Sequence, residues 1–269
     1  MPAYVMQDFE SIERRSEAYL STVQYRAGGV AQPDHQFRNW FAEEESPLSG
    51  YILVMIIGAA ISGIAALWVR SSYTKYSKKM STSGLTGAQT ARMILDRNGL
   101  TNVRVEPVPG RLTDHYDPRS KVVRLSEDNF RQRSIAAVSV AAHEVGHAIQ
   151  DATGYLPMKL RSGLFPVVAF SSQIWLPLFI MGIFIGAPLF IQLAAILFMA
   201  VLAFHVVTLP VEINASTRAY GLLTHYGMLS RTEAEGTRRV LTAAAFTYIA
   251  AALTAFLTLL YLLFLSQSE

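Results

Sequence analysis

Four long uncharged apolar stretches constrain this chain more than anything else in it. Tyr51–Val69, Gly163–Ile185, Pro188–Leu209 and Val240–Leu265 contain no Asp, Glu, Lys or Arg. Each reaches the roughly 20 residues that cross a bilayer as a helix. Only Gly186-Ala187 separates the second from the third, so residues 163–209 read as a hairpin, either spanning or re-entrant. Charged residues make up 16% of the chain, against about a quarter in soluble domains, and they are confined to the segments between the apolar runs. The expected architecture is a mainly α, polytopic membrane protein with about four transmembrane helices.

The distribution of charge gives an orientation. Before Trp68 four basic residues (Arg14, Arg15, Arg26, Arg38) face eight acidic ones, so the net charge of +3 leaves +7 on the remainder. Arg70, Lys75, Lys78 and Lys79 follow the first run, Lys159 and Arg161 precede the second, Arg218 follows the third, and Arg238-Arg239 precede the fourth. Basic residues flanking spans mark the cytoplasmic side. The expected topology therefore puts both termini outside and segments 70–162 and 210–239 together in the cytoplasm. A net charge this small gives no reason to expect nucleic acid as a partner. The chain has no cysteine, which excludes disulfides and thiolate metal sites and leaves histidine and carboxylate as metal ligands. Residues 1–48 show no apolar core of a signal peptide and are too acidic for a transit peptide.

These signals divide the chain into six parts: a polar N-terminal extension (1–48), in which Gln7 to Val23 has a loose helical stripe; transmembrane helix 1 (49–69); a cytoplasmic segment (70–162); a transmembrane hairpin (163–209); a cytoplasmic helix (210–239); and transmembrane helix 4 (240–265). Within the cytoplasmic segment, Thr86-Gly87-Ala88-Gln89 reads as a capping box and Asn98-Gly99 as a helix stop, bracketing a helix near 86–97. Val103–Val108 alternates as a strand does. Leu112–Tyr116 and Val122–Leu125 flank the turn Asp117-Pro118-Arg119-Ser120, a hairpin pattern. Ser134 then opens a helix running to about Asp151.

That last helix carries the motif with chemical content, His143-Glu144-Val145-Gly146-His147. Two histidines four apart project from one helical face, so both imidazoles can reach one ion. Glu144 beside them is placed to take a proton from a water attacking a carbonyl. Residues Ile135 to Ala142 are all apolar or small, which marks the helix as buried, and buried histidines and carboxylates need partners. Gly146 weakens a helix interior and suggests a close neighbour. Two histidines leave the ion one protein ligand short. Position 153 is Thr, which rules out the pattern with a third histidine there. Glu212 is the best candidate: it follows the third apolar run, and Ala215, Ser216 and Ala219 on its side of a helix are small enough for close approach. Further candidates to support the ligands or donate to an oxyanion are His115, Asn214, Arg218 and His225. Tyr220 has the donor chemistry for the same role, whereas His205 reads more simply as a core histidine.

As a set, Asn98-Gly99-Leu100, Val103-Arg104-Val105-Glu106, Gly110 to Arg119, Ala141 to Gln150 and Leu209-Pro210-Val211-Glu212 resemble the YugP-type neutral zinc metallopeptidases of bacterial membranes, over about residues 52–265. That family looks related to the HtpX and CAAX prenyl-protease group, in which a glutamate on a later helix completes the zinc site. The resemblance implies a small α+β, zincin-like cytoplasmic part, one Zn2+ per chain, Glu212 as third ligand, and location in the bacterial inner membrane. It also implies endoproteolysis at the cytoplasmic face, acting on polypeptide or membrane-protein substrates in quality control or processing. Asn214 and Thr217 depart from the family's usual aspartate and arginine. Two other readings fit the same motif: a non-proteolytic metal-binding membrane scaffold or chaperone, and a zinc hydrolase acting on a non-peptide carbonyl.

Overall fold

The computed structural model describes residues 47–267; the Gln7 to Val23 stripe lies outside them. Among the described residues the chain forms seven helices and three strands. Four helices are long and apolar enough to cross a membrane: α1 (Pro47–Ser77), α5 (Leu156–Ile185), α6 (Pro188–His225) and α7 (Arg231–Gln267). Between α1 and α5 lies a small α+β part made of α2 (Gly87–Arg97), β1 (Arg104–Val108), β2 (His115–Asp117), β3 (Val122–Ser126), α3 (Glu127–Arg131) and α4 (Ile135–Ala152). The protein is thus a mainly α polytopic membrane protein.

The long helices extend well past the uncharged runs. α5 starts seven residues before Gly163, carrying Lys159 and Arg161, and α6 continues past Leu209 to His225 without a break. Pro210 stands inside α6. It removes one backbone donor, leaving the Val206 carbonyl without its helical partner, yet the helix runs on. A spanning helix and the segment bearing Glu212 are therefore one rod.

Local signals explain the smaller elements. α2 begins at a complete capping box: Gln89 N–H donates to the Thr86 hydroxyl, and the Gln89 side chain accepts from Thr86 N–H. Its Ala91, Ile94 and Leu95 face is fully buried, and the chain leaves the helix through Gly99 at φ +74°. The sheet order is β1-β3-β2: β1 pairs parallel with β3 and β2 antiparallel with it. Val122, Val123 and Leu125 of the central strand are fully buried, while β2 pairs on one side only.

α4 is the hub. The Ser134 hydroxyl caps it by accepting from Ala137 N–H, and Ile135 N–H donates to the Lys79 carbonyl, tying its start to the end of α1. Ala136, Ala137, Val138, Ala141, Ala142 and Val145 are all fully buried, as expected of a helix apolar on every side. It packs against α2, the sheet, α6 and α7. At the far end of the long helices a second apolar cluster joins Phe179, Phe198, Leu259 and Leu262 with Tyr51, Trp175 and Tyr261.

Candidate metal centre

α4 and α6 cross at Gly146 and Ala215. A β-carbon built on Gly146 would lie 2.8 Å from the Ala215 carbonyl oxygen and 3.2 Å from its Cα, both backbone atoms that cannot swing away. The glycine is what allows the approach, and the approach brings Glu212 to the histidines.

The three side chains converge on one point. The His143 and His147 rings lie 4.7 Å apart, nearly perpendicular. Glu212 Oε2 is 3.3 Å from His143 Nε2 and 3.5 Å from His147 Nε2, and one donor atom from each residue falls within 4.8 Å of the others. Ligand atoms held about 2.0–2.1 Å from a tetrahedral ion lie about 3.3 Å from one another. The donor set therefore fits zinc in kind, the two distances to Glu212 fit it in spacing, and three protein ligands is the number that catalytic zinc sites use.

Each ligand is held from behind. His147 Nδ1 donates to Gln150 Oε1 at 3.0 Å, leaving Nε2 free as a donor atom to a metal. The Gln150 amide is fixed in turn, donating to the Val211 carbonyl at 2.8 Å and to Asn214 Oδ1 at 3.0 Å. Asn214 Oδ1 also accepts from Arg218 Nε at 2.7 Å. A chain of hydrogen bonds thus runs from Arg218 to His147. His143 Nδ1 meets the Ser216 hydroxyl at 3.2 Å. Arg161 Nη1 holds the outer oxygen of Glu212, Oε1, at 3.2 Å, so Oε2 alone faces the histidines. Partners of this kind orient ligands and typically matter 10–100-fold in metal affinity.

Electrostatics point the same way. Burial works against a charge on His147, but the hydrogen bond to Glu212, the charges of Glu144 and Glu212 and the bond to Gln150 together outweigh it and raise the imidazole pKa; the site favours positive charge. Burial pushes the Glu144 carboxyl above its ordinary value, with the two histidines pulling the other way. On the sheet side, burial likewise raises Asp114, although Ser126 and Asn129 donate to it. Burial, with Asp151 accepting its hydrogen bond at 2.7 Å, holds the Tyr116 hydroxyl protonated far above neutrality.

A cleft of about 630 Å³ opens over these groups. On one side it is bounded by β2 and the turn after it, including His115, Tyr116 and Arg119; on the other by Phe165, Phe204 and Tyr248 of the long helices. His115 therefore stands at the cleft wall, its Nδ1 donating to the Thr113 carbonyl at 2.8 Å. Asn214 and Arg218 lie behind the ligands. His225 lies elsewhere: it is exposed at the end of α6, its ring 5.2 Å from that of Tyr226, and does not line the cleft. Tyr220 lies under the Arg238 guanidinium at 4.6 Å, and His205 is likewise outside the cleft wall. Sequence reasoning assigned no site role to Gln150, Arg161, Ser216 or Tyr248. Gln150 had a readable signal, being three residues from His147 on one helix face.

Fold and site together describe a membrane protein with two histidines and a glutamate gathered where they could hold a metal ion. The chain matches over residues 51–267 the family described as "Putative neutral zinc metallopeptidase", and it belongs to that family. It is 49% identical over 210 residues to the "Putative membrane protease YugP" of Bacillus subtilis (strain 168), covering 78% of this chain and 93% of that protein. No solved structure matches.

Proposed function

We propose that the protein is a zinc-dependent endopeptidase that hydrolyses peptide bonds at the cytoplasmic face of the bacterial inner membrane. The observation that carries this is the convergence of His143, His147 and Glu212 on one point, with Glu144 alongside in the same cleft. One zinc ion per chain held there would supply Lewis acidity, activating a water and polarising the substrate carbonyl. Glu144 takes the proton of the attacking water and returns it to the leaving amine. Gln150, Ser216 and Arg161 keep the ligands aimed while charge develops. His115 and Tyr248 stand at the cleft wall as donors to an oxyanion.

Substrate binding follows from the sheet. Among the described residues β2 has a free edge, and it lines the cleft, so an extended peptide can add to it as a further strand. The central strand β3 is paired on both sides and cannot serve. A peptide N-methylated at the amides flanking its scissile bond cannot complete that ladder and is expected to bind more weakly; equal binding would overturn strand addition.

The orientation is argued from the basic residues at the site-side ends of the four long helices, which favour residues 70–162 and 210–239 in the cytoplasm and the N-terminus outside. Both a cleft wall at helix level and a polar sheet wall suit a membrane-protein substrate undergoing processing or quality control. The deciding experiment measures the metal content of the purified wild type beside Glu212→Ala, and peptide cleavage beside Glu144→Gln. One zinc per wild-type chain, weakened by the first variant, with turnover abolished by the second, is expected. A folded wild type without zinc sinks the reading, and a cellular phenotype that survives Glu144→Gln favours a scaffold.

A further inference from the structure

The four long helices do not close into a ring. α1 packs along α7, α7 along α6, and α6 along α5, but no extended face joins α5, at one end of this arc, to α1 at the other end or across to α7. At the far end α5 closes against the other helices through aromatics: Phe179 lies 6.5 Å from Tyr261 of α7 and 5.0 Å from Tyr51 of α1, and Trp175 lies 6.2 Å from Tyr51 and 4.6 Å from Phe198 of α6. Toward the site, Phe165 of α5 and Tyr248 of α7 both line the cleft. At 1.5 Å per residue each stands about 20 Å along its helix from that aromatic closure. Phe204 is eight residues before Glu212, so the cleft reaches about 12 Å along α6 from the metal ligand toward the apolar part of the bundle. Phe165 is 56% exposed, and Pro166 beside it deprives the Ser162 carbonyl, on another cleft-lining residue, of its helical donor.

We propose that the gap between α5 and α7 is a lateral entrance through which the membrane-adjoining end of a substrate's transmembrane segment enters from the bilayer. The inference rests on the peptidase reading above and specifies its substrate: a polypeptide cut next to an apolar span. The two walls of the cleft match the two halves of such a segment. Backbone that leaves a helix at membrane depth must find polar partners, and the free edge of β2 and the Ser162 carbonyl are such partners. Apolar side chains still in helical form lose little on moving from lipid to Phe165, Phe204 and Tyr248, because the hydrocarbon they leave is as apolar as the wall they meet.

The chain has no cysteine, so a single thiol can carry a benzophenone cross-linker without other changes. Phe165→Cys is compared with Phe184→Cys, which lies on the same helix at its far end and is 79% exposed. Both are placed in the Glu144→Gln background in liposomes. One probe is a synthetic peptide with a Leu/Ala span of about 20 residues and a polar tail; the other is the tail alone. Light-driven capture of the span-bearing probe several-fold above the Phe184 control, with the tail alone captured weakly, is expected. Equal capture at the two positions, stronger capture of the tail alone, or adducts with lipid only would each overturn lateral entry. Cleavage of the span-bearing probe by protein retaining Glu144 is scored separately. Capture without cleavage leaves the entrance standing and removes the peptidase reading.

Discussion

The two ends of the helix bundle are built on different principles. At the far end Tyr51, Trp175, Phe179, Phe198 and Tyr261 meet edge to face or tilted and close the helices against one another. At the site end a cleft opens beside α5, and polar contacts add to the close α4–α6 crossing at Gly146: Arg161 to Glu212 from α5 to α6, and Gln150 to Val211 and Asn214 from α4 to α6. Between helices in lipid the hydrophobic effect contributes little, so association depends on packing and on hydrogen bonds. The far end relies on the first, and the site end adds the second to the packed α4–α6 crossing. A polar end costs more if any partner is missing, and that sensitivity gives substitutions there effects on metal binding that the far end should not show.

The largest expected effect is chemical. Glu144→Gln keeps the size of the side chain and the buried site but removes the proposed base, and should lower turnover by about 10²–10⁴-fold with zinc content unchanged. Parallel assays of peptide cleavage and bound metal check this. A variant that loses zinc as well would mean that Glu144 also supports the ligands. Next comes Glu212→Ala, which deletes the proposed third ligand and should weaken zinc by more than the roughly 100-fold upper range for supporting residues. Arg161→Ala and Gln150→Ala should each weaken it by about 10–100-fold, read by competition with a chelating dye. Arg161→Ala frees Oε1 of Glu212 and Gln150→Ala frees the His147 ring, so neither needs to disturb the fold. An unchanged zinc affinity in both would show that the ligands are held by helix packing alone.

What could be read in advance follows the range of the interaction. The capping box at Thr86, the Ser134 cap and the shared face of His143 and His147 depend on residues within four positions of each other, and periodicity alone exposes them. The four apolar runs are legible for the same reason. Glu212 was approachable because its neighbours Ala215 and Ser216 are small and it follows an apolar run. Arg161 was not: its charge reads equally as a topology signal, and nothing nearby in the chain reveals a partner 51 positions away. The parallel pairing of β1 with β3 is hidden likewise, since an adjacent hairpin is the local expectation. Pro210 misleads in the opposite direction. It suggests a break between span and ligand helix, whereas α6 continues through it because neighbouring helices pack on both sides.

Gly146→Leu tests the crossing that brings the two regions of the site together. Its side chain would enter the Ala215 backbone, and overpacking of this kind costs about 1–3 kcal/mol. Thermal unfolding should shift downward and zinc affinity should fall with it, because Glu212 rides on the helix displaced. Stability lost with zinc affinity intact would mean that α6 can yield around Gly146 while keeping its carboxylate in place.

The smallest effects belong to the far end, and they give the comparison its control. Phe179→Ala removes a fully buried ring that touches α1 and α7 and should cost about 1–3 kcal/mol. Tyr261→Phe removes only the hydroxyl that donates to the Pro47 carbonyl, worth about 0.5–1.5 kcal/mol. Both should lower the unfolding temperature in detergent, the first more than the second, while zinc affinity stays at the wild-type value. The aromatic cluster lies about 20 Å along the helices from the cleft-lining Phe165 and Tyr248, and no ligand or ligand partner touches it. Weakened zinc binding in Phe179→Ala would mean that the aromatic closure sets the spacing of α5 and α6 at the site, through the one rod that carries both a spanning segment and Glu212. The two ends would then be a single mechanical unit, and the α5–α7 gap would widen or narrow with the packing at its opposite end.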